Sequence, residues 1–293
     1  MASIFRTATP ADKRDIRLLP HRDRAVLRIL DRAEAATPRQ LAILVYGNLR
    51  TAQERLASMY EGGLLERTTL PPPKRGGAEL AYRLSRRTRH RLGDHSPRAR
   101  GSNRLGHTLD IVETVCALAT SNGDPRRDSP VLAWLAEPTA ARALGTPPYP
   151  DSVVVLRDGE GSAVLCLEID EATQRRAVIE AKLNGYRRLF EAHPTWWLLF
   201  VVPSRNRARW LRTVAAGVDE AVAARAWVTS LMALRTGHLE CPALPMTGAA
   251  RATPLRALTD GSFDRLADAP VGSEAWLRLL GEGGIEELEQ VLR

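Results

Sequence analysis

Apolar positions recur at helical spacing through the first quarter of the chain. In residues 21–33, Val26, Leu27, Ile29 and Leu30 repeat with the 3.6-residue period of an amphipathic helix. Thr37-Pro38 has the form of an N-cap followed by proline at the first helical position, and it predicts a helix from Pro38 to Tyr46 with Leu41, Leu44 and Val45 inward. Gly47-Asn48 separates it from a third helix, Leu49 to about Tyr60, with Ala52, Leu56 and Met59 inward and Gly62-Gly63 as its stop. Two short strands follow, Leu64 to Thr68 and Glu79 to Leu84, around the turn Pro71-Pro72-Pro73-Lys74-Arg75-Gly76-Gly77. Three helices and then a hairpin with a basic tip is the plan of a winged helix-turn-helix domain.

The pattern then changes. Ser85 opens an arginine-rich helix, and the polar stretch 94–104 (DHSPRARGSNR) reads as a linker. A helix from Leu105 to Thr120 carries Leu109, Val112, Cys116, Leu118 and Ala119. Period-2 and continuous apolar runs predict strands at Val131–Glu137, Asp151–Arg157 and Ser162–Asp170, the last two joined by Asp158-Gly159-Glu160-Gly161. A long helix from Thr173 to Glu191, a buried strand from Trp196 to Val202, a helix from Ser204 to about Val222 and a strand from Ala226 to Leu231 complete the pattern. Thr236 to Thr253 is rich in turn residues, and residues 276–280 and 285–292 have the pattern of short amphipathic helices. The expected organisation is a winged helix over residues 15–93, a basic linker over 94–104, an α/β domain over 105–235 and a C-terminal extension over 236–293.

Charge sharpens this division. The chain carries a formal net charge of +8, yet residues 1–104 hold 22 Lys/Arg against 10 Asp/Glu, and residues 105–293 hold 20 against 24. A basic front half points to a polyanion, and on a winged helix the expected polyanion is double-stranded DNA. Arg50, Gln53 and Arg55 on the third helix are the candidates for the major groove. Lys74 and Arg75 at the wing tip, with Arg86, Arg87 and Arg89 beyond it, are the candidates for phosphate. Cys116, Cys166 and Cys241 are scattered and form no Cys-x-x-Cys pair, which argues against a structural zinc site and for a reducing cytoplasm. No apolar run approaches the ~18 residues of a membrane span, and the residues around Arg6, Asp12, Lys13 and Arg14 lack the apolar stretch of a signal peptide.

The candidate chemistry lies at strand ends. Asp151 follows Pro150 at the start of one predicted strand, and Glu168 ends its partner 17 positions later, followed by Asp170. Pairing these strands brings carboxylates together, and crowded carboxylates repel unless a cation sits among them. An all-oxygen set suits Mg²⁺ or Mn²⁺, and such an ion activates water against a phosphodiester. Asp151 and Glu168, with Asp170 and Glu137 in support, are the candidate ligands. Lys182, on the next helix, is the candidate for the charge on the reacting phosphate. The competing reading makes Asp151 a turn residue and Glu168 and Asp170 an acidic cluster at a helix N-terminus. His107, near the start of its helix, is a further candidate for a phosphate contact, and Tyr186, one turn after Lys182, is expected in the core. The six histidines never stand two apart, so a histidine-hydrophobic-histidine relaxase site is excluded.

The order helix, three strands, helix, strand is that of the PD-(D/E)XK nuclease-like fold, and Asp151 and Glu168 match its two acids. Asp170 stands where that pattern places lysine. The whole set resembles the replication-relaxation family of plasmid and mobile-element proteins, which includes the C-class mobilisation relaxases. The residues that carry the resemblance are Tyr82-Arg83-Leu84-Ser85, Gly106-His107-Thr108-Leu109-Asp110-Ile111, Trp134-Leu135-Ala136-Glu137, Pro150-Asp151, Glu168-Ile169-Asp170-Glu171-Ala172-Thr173 and Lys182-Leu183-Asn184-Gly185-Tyr186. The resemblance implies a winged helix for origin DNA and a nuclease-like domain that nicks it with a divalent metal, with Asp151, Glu168 and Lys182 as the residues carried over. The alternative is a replication or transcription regulator whose nuclease-like domain is inactive. The winged helix is also compatible with dimerisation, and the C-terminal extension with packing on the core, self-association or binding a mobilisation or replication protein.

Overall fold

The computed structural model describes residues 6–7, 16–70, 79–92, 102–121, 123, 129–144, 147–158, 161–247 and 252–258. The wing tip with Lys74 and Arg75, most of the expected linker and the two expected C-terminal helices lie outside the described residues. The chain divides into two compact units, Met1–Val112 and Glu113–Arg293. Among the described residues no helix is long and apolar enough to cross a membrane.

In the first unit, strand β1 (Arg6–Thr7) precedes helix α1 (His21–Ala33), which buries Val26, Leu27, Ile29 and Leu30 as their spacing predicts. Helix α2 (Pro38–Leu41) starts with a capping box. The Thr37 N–H donates to Gln40 Oε1 at 3.0 Å and the Gln40 N–H donates to Thr37 Oγ1 at 3.3 Å, so two donors with no partner inside the helix are satisfied reciprocally. The helix then loosens into a π-helical turn, Ala42–Tyr46, which Gly47 closes in the left-handed region at φ 85°. A side chain at that position would be strained, so glycine is the natural stop. Helix α3 (Leu49–Glu61), capped by Asn48, buries Ala52, Leu56 and Met59. Strands β2 (Leu65–Thr69) and β3 (Leu80–Leu84) pair antiparallel, and β1 adds to the far edge of β2. Helix α4 (Arg86–Arg91) follows with Ser85 as its N-cap. Helix α5 (Ser102–Ala119) begins inside the expected linker, and the unit boundary falls within it. Leu105 and Leu109 pack on Ala35 and Ala81 of the first unit.

One buried polar network ties the three helices together. Asp23 of α1 is 1% exposed and accepts from the Tyr46 hydroxyl at 2.9 Å and from the Arg55 guanidinium of α3. Arg55, expected on the DNA-facing side, is thus engaged inside the domain. A buried carboxylate needs such partners, because an unpaired one would cost several kcal/mol.

The second unit is built on a seven-stranded sheet. Strand β4 (Val131–Ala136), strand β5 (Ser152–Asp158) and strand β6 (Gly161–Ile169) form an antiparallel meander. Helix α6 (Glu137–Leu144) continues directly from β4, so Glu137 opens a helix where a strand end was expected. Helix α7 (Arg176–Ala192) then crosses over to strand β7 (Trp197–Val202), which pairs parallel to β6. The helix expected from Ser204 to Val222 is two pieces, α8 (Arg205–Ala215) and the single turn α9 (Glu220–Ala223). Gly217 lies in the turn between them, and Asp219 caps the second piece by accepting from the Ala221 N–H at 2.9 Å. Strand β8 (Ala226–Ser230) is parallel to β7 and leads into helix α10 (Leu231–Gly237). The turn-rich stretch after it contains β9 (Pro242–Pro245) and β10 (Thr253–Pro254), which extend the sheet antiparallel in the order β10-β9-β8-β7-β6-β5-β4. Prolines and few periodic positions hide these two short strands from a pattern search.

Thus α5, the β4–β6 meander, α7 and the parallel β7 give the mixed α/β order expected from the sequence. The α7 side of the sheet is closed by Ile179, Leu183, Tyr186, Leu189 and Phe190 against Val153, Val155, Val164, Cys166, Leu198 and Phe200. Burial on both faces explains why β6 and β7 read as continuous apolar runs rather than alternating ones.

The Asp23 network gives a stability prediction. Asp23→Ala removes the carboxylate that the Tyr46 hydroxyl and the Arg55 guanidinium share, and should lower the opening free energy of α1 and α3 amides by about 1–3 kcal/mol. Native-state hydrogen exchange reads this unit selectively, and unchanged protection would contradict the role given to Asp23.

Candidate active site

The meander register sets the site. Ala136 pairs with Ser152, and Ser152 with Leu167. The positions that follow at this sheet end are Glu137, which opens α6, Asp151, which precedes β5, and Glu168, near the end of β6. Asp151 is half-buried, and its Oδ2 accepts from the Ile169 N–H at 2.8 Å, stitching the start of β5 to the end of β6. Glu137 is also half-buried, at the first position of α6.

Glu168 is 1% exposed. The two-residue period of β6 turns its side chain to the same face as Cys166, toward α7. There Lys182 and Tyr186, four residues apart on α7, close on it from one turn to the next. The Lys182 ammonium contacts Oε2, and the Tyr186 hydroxyl donates to Oε1 at 2.5 Å. Burial, and after it the charge of Asp151, push Glu168 up to about 8, although Lys182 and Tyr186 pull the other way. Burial lowers the Lys182 ammonium, but Glu168 and Asp151 outweigh it and hold its pKa above the usual value. Burial and then the Glu168 charge keep the Tyr186 phenol well above its usual range, so it remains a donor.

Asp170 has a different environment. Its Oδ2 accepts from Arg207 Nε at 2.5 Å and its Oδ1 from Arg207 Nη2 at 3.1 Å. Arg207, from α8, also donates to the Gln174 carbonyl at 2.9 Å and stacks on the Trp210 ring at 3.8 Å. Asp170 Oδ1 further accepts from the Ala172 N–H at 3.0 Å. This bidentate, buried ion pair fixes the chain leaving β6.

The structure therefore brings Asp151, Glu168 and Lys182 together and assigns Asp170 to Arg207. Among the described residues no group of three or more His, Cys, Asp or Glu is arranged to hold a metal ion. The oxygen donors of Asp151 and Glu168, with a cation already drawn to them, fit a hard divalent ion held by two carboxylates. His107 lies on α5 in the first unit, while the acids belong to the second. Cys116, Cys166 and Cys241 are free and buried.

On the first unit, Arg50 is 90% exposed and pairs with Glu54 one turn on, at 2.8 Å. Gln53 is exposed beside it, and Arg86 and Arg87 are exposed on α4, whose Arg89 is half-buried. Sequence reasoning missed two residues of the site. Tyr186 carried a signal, its four-residue spacing from Lys182. Arg207 carried none, because its partner lies 37 positions away.

The burial of Glu168 sets a pH dependence. Its folded pKa of about 8 lies above the ordinary value of 4.5, so the folded state binds this proton more tightly than the unfolded chain. The stabilisation is complete below the unfolded value and is lost as pH rises through the folded one. Glu168→Gln cannot ionise, so in chelator its melting temperature relative to the wild type should rise between about pH 5 and about pH 9. Thermal melts across that range test this; a difference independent of pH would contradict the burial argument.

A search of curated proteins finds no match. Among solved structures, the restriction endonuclease FokI aligns at 11% sequence identity with a TM-score of 0.29, covering 74% of this chain and 43% of that one. This chain thus spans less than half the length of that protein. The family described as replication-relaxation matches residues 27–198, from within α1 to the start of β7, a stretch that contains Asp151, Glu168, Lys182 and Tyr186. The chain belongs to the replication-relaxation family.

Proposed function

We propose that this protein binds double-stranded DNA through its winged helix and nicks it at a metal-dependent centre formed by Asp151, Glu168 and Lys182, in the replication or mobilisation of a plasmid or other mobile element. Membership of the replication-relaxation family supports a DNA-related replication role. The observation that carries the enzymatic reading is the buried Glu168 carboxylate, held at a sheet end beside Asp151 and in contact with an ammonium from the crossover helix. Burying an acid in this way is costly, and strongly perturbed acids of this kind cluster at functional sites.

Asp151 and Glu168 would hold Mg²⁺ or Mn²⁺. Bound there, the ion supplies Lewis acidity toward phosphate oxygen and acidifies water. Lys182, a quarter exposed, carries its ammonium at the mouth of the site, where it can meet a phosphate oxygen that gains charge in the transition state. The Asp170–Arg207 pair holds the strand end on which Glu168 sits. In the first unit, Arg50 and Gln53 present donors able to reach base edges. Arg86, Arg87 and Arg89, with Lys74 and Arg75 of the wing, supply cationic contacts to phosphate. Such a protein would work in the cytoplasm; self-association, or a mobilisation or replication partner at the C-terminal extension, would belong to the same setting.

A second reading, a DNA-binding regulator with an inactive nuclease-like domain, is favoured by one observation. Asp170 stands where the nuclease-like pattern places lysine, and Arg207 has already neutralised it.

Supercoiled plasmid carrying the native origin should become open circular with Mn²⁺ or Mg²⁺. Asp151→Ala or Glu168→Ala should abolish the conversion, and Lys182→Ala should slow it by roughly 100-fold or more. Salt-sensitive origin binding with no nicking by the wild type would establish the regulator reading instead. For recognition, Arg50→Ala and Gln53→Ala should each weaken origin binding in a gel-shift titration while leaving the fold intact. Arg55→Ala should act mainly on the stability of the first unit, because its guanidinium is held by Asp23.

A further inference from the structure

We propose that Tyr186 is a positioning residue for Glu168: its phenol holds Oε1 in place, so that Oε2, on the Lys182 side, is the oxygen presented to a divalent cation. The inference rests on the metal-site reading above and adds to it a residue expected only to fill the core.

Three observations carry it. The Tyr186 side chain is 0% exposed, so its hydroxyl serves neither solvent nor a substrate and is not placed to act as a nucleophile. That hydroxyl lies 2.5 Å from Glu168 Oε1, within a pair whose two members are both buried. The partner on the other oxygen is unlike it: the Lys182 side chain is 24% exposed, against 1% for Glu168. A long, partly solvated ammonium can withdraw to water when another cation approaches. A phenol locked in close-packed core cannot. One oxygen of the carboxylate therefore has a fixed partner and the other an exchangeable one.

The packing of the ring separates this role from a structural one. Tyr186 lies in the core with Ile179, Leu183, Leu189 and Phe190, its ring centroid 5.7 Å from that of Phe190. Tyr186→Phe keeps this apolar surface and removes only the oxygen that restrains Glu168. A carboxylate that loses such a restraint is free to change rotamer, and loss of a partner that orients a ligand typically weakens metal binding by about 10–100-fold.

The test is Mn²⁺ binding to the full chain, by calorimetry and by the electron paramagnetic resonance signal of free Mn²⁺, without DNA. Tyr186→Phe should bind about 10-fold or more weakly, with a melting temperature close to the wild type. Phe190→Leu disturbs the same core but leaves the phenol, and should bind as the wild type does. Unchanged affinity in Tyr186→Phe, with binding lost in Glu168→Ala, overturns the role of Tyr186 and leaves the metal site standing. Equal weakening in Phe190→Leu also overturns it, because packing then explains the effect. No Mn²⁺ binding by the wild type defeats both. Should Tyr186→Phe fail to fold, 3-fluorotyrosine at position 186 changes the donor strength at nearly constant volume, and unaltered affinity is again a refutation.

Discussion

The interaction on which the second unit turns is the burial of the Glu168 carboxylate beneath α7. A charge removed from water loses far more solvation than one hydrogen bond returns, so it must be paired, multiply bonded or protonated. Glu168 is both paired and hydrogen-bonded. Lys182 and Tyr186 each take one oxygen, and burial still lifts the acid to about 8. The helix that provides these partners is seated by Ile179, Leu183, Leu189 and Phe190 on β5, β6 and β7. Apolar burial fixes the height and rotation of α7, and that rotation delivers the ammonium and the phenol to one carboxylate. Moving α7 by even a fraction of a turn would leave the acid uncompensated.

The same constraint explains why two acids, two residues apart, behave differently. The period of a strand would put Glu168 and Asp170 on one face, where two carboxylates would raise each other's proton affinity. The chain separates them by giving each a cation from a different helix. Glu168 takes Lys182 from α7, and Asp170 takes Arg207 from α8. The choice of cation matters. The planar guanidinium bonds Asp170 through two nitrogens, reaches the Gln174 carbonyl and stacks on Trp210, so it is immobile. The ammonium of Lys182, on a side chain 24% exposed, contacts Glu168 and can be exchanged. One end of the strand thus has a permanent clamp and a replaceable counter-ion side by side.

How much of this was legible in the sequence follows from the range of each signal. Local patterns read well. The α1 and α3 stripes, the Thr37-Pro38 cap, the β5–β6 hairpin and the position of β7 all rest on residues within a few positions of each other, where period and capping chemistry act. The nearness of Asp151 to the end of β6 could be foreseen because strand pairing converts sequence order into proximity, whereas Asp170, expected in the same cluster, is held by Arg207. Elements bounded by weak punctuation were misjudged: the break at Gly217, the helix that starts at Glu137 instead of a strand ending there, and the short proline-bearing strands β9 and β10. Arg207 and Arg55 were opaque for another reason. Their partners lie 37 and 32 positions away, and an arginine in an arginine-rich chain gives no hint of which one is tied to a buried acid.

Arg55 shows why that distinction matters for recognition. It sits on the third helix with Arg50 and Gln53, and by charge alone all three are equivalent candidates for a base edge. The carboxylate of Asp23, 1% exposed, removes the equivalence. Drawing Arg55 toward DNA would take from the buried Asp23 its cation and leave, among the described residues, the Tyr46 hydroxyl, a cost comparable to what a good base contact returns. Arg50 faces no such penalty. Its partner Glu54 is as exposed as a surface ion pair allows, so exchanging that carboxylate for a phosphate or a guanine edge sacrifices little. Which cation of α3 is available to an outside partner is therefore set by what the fold can spare, and that is Arg50, with the exposed Gln53 beside it.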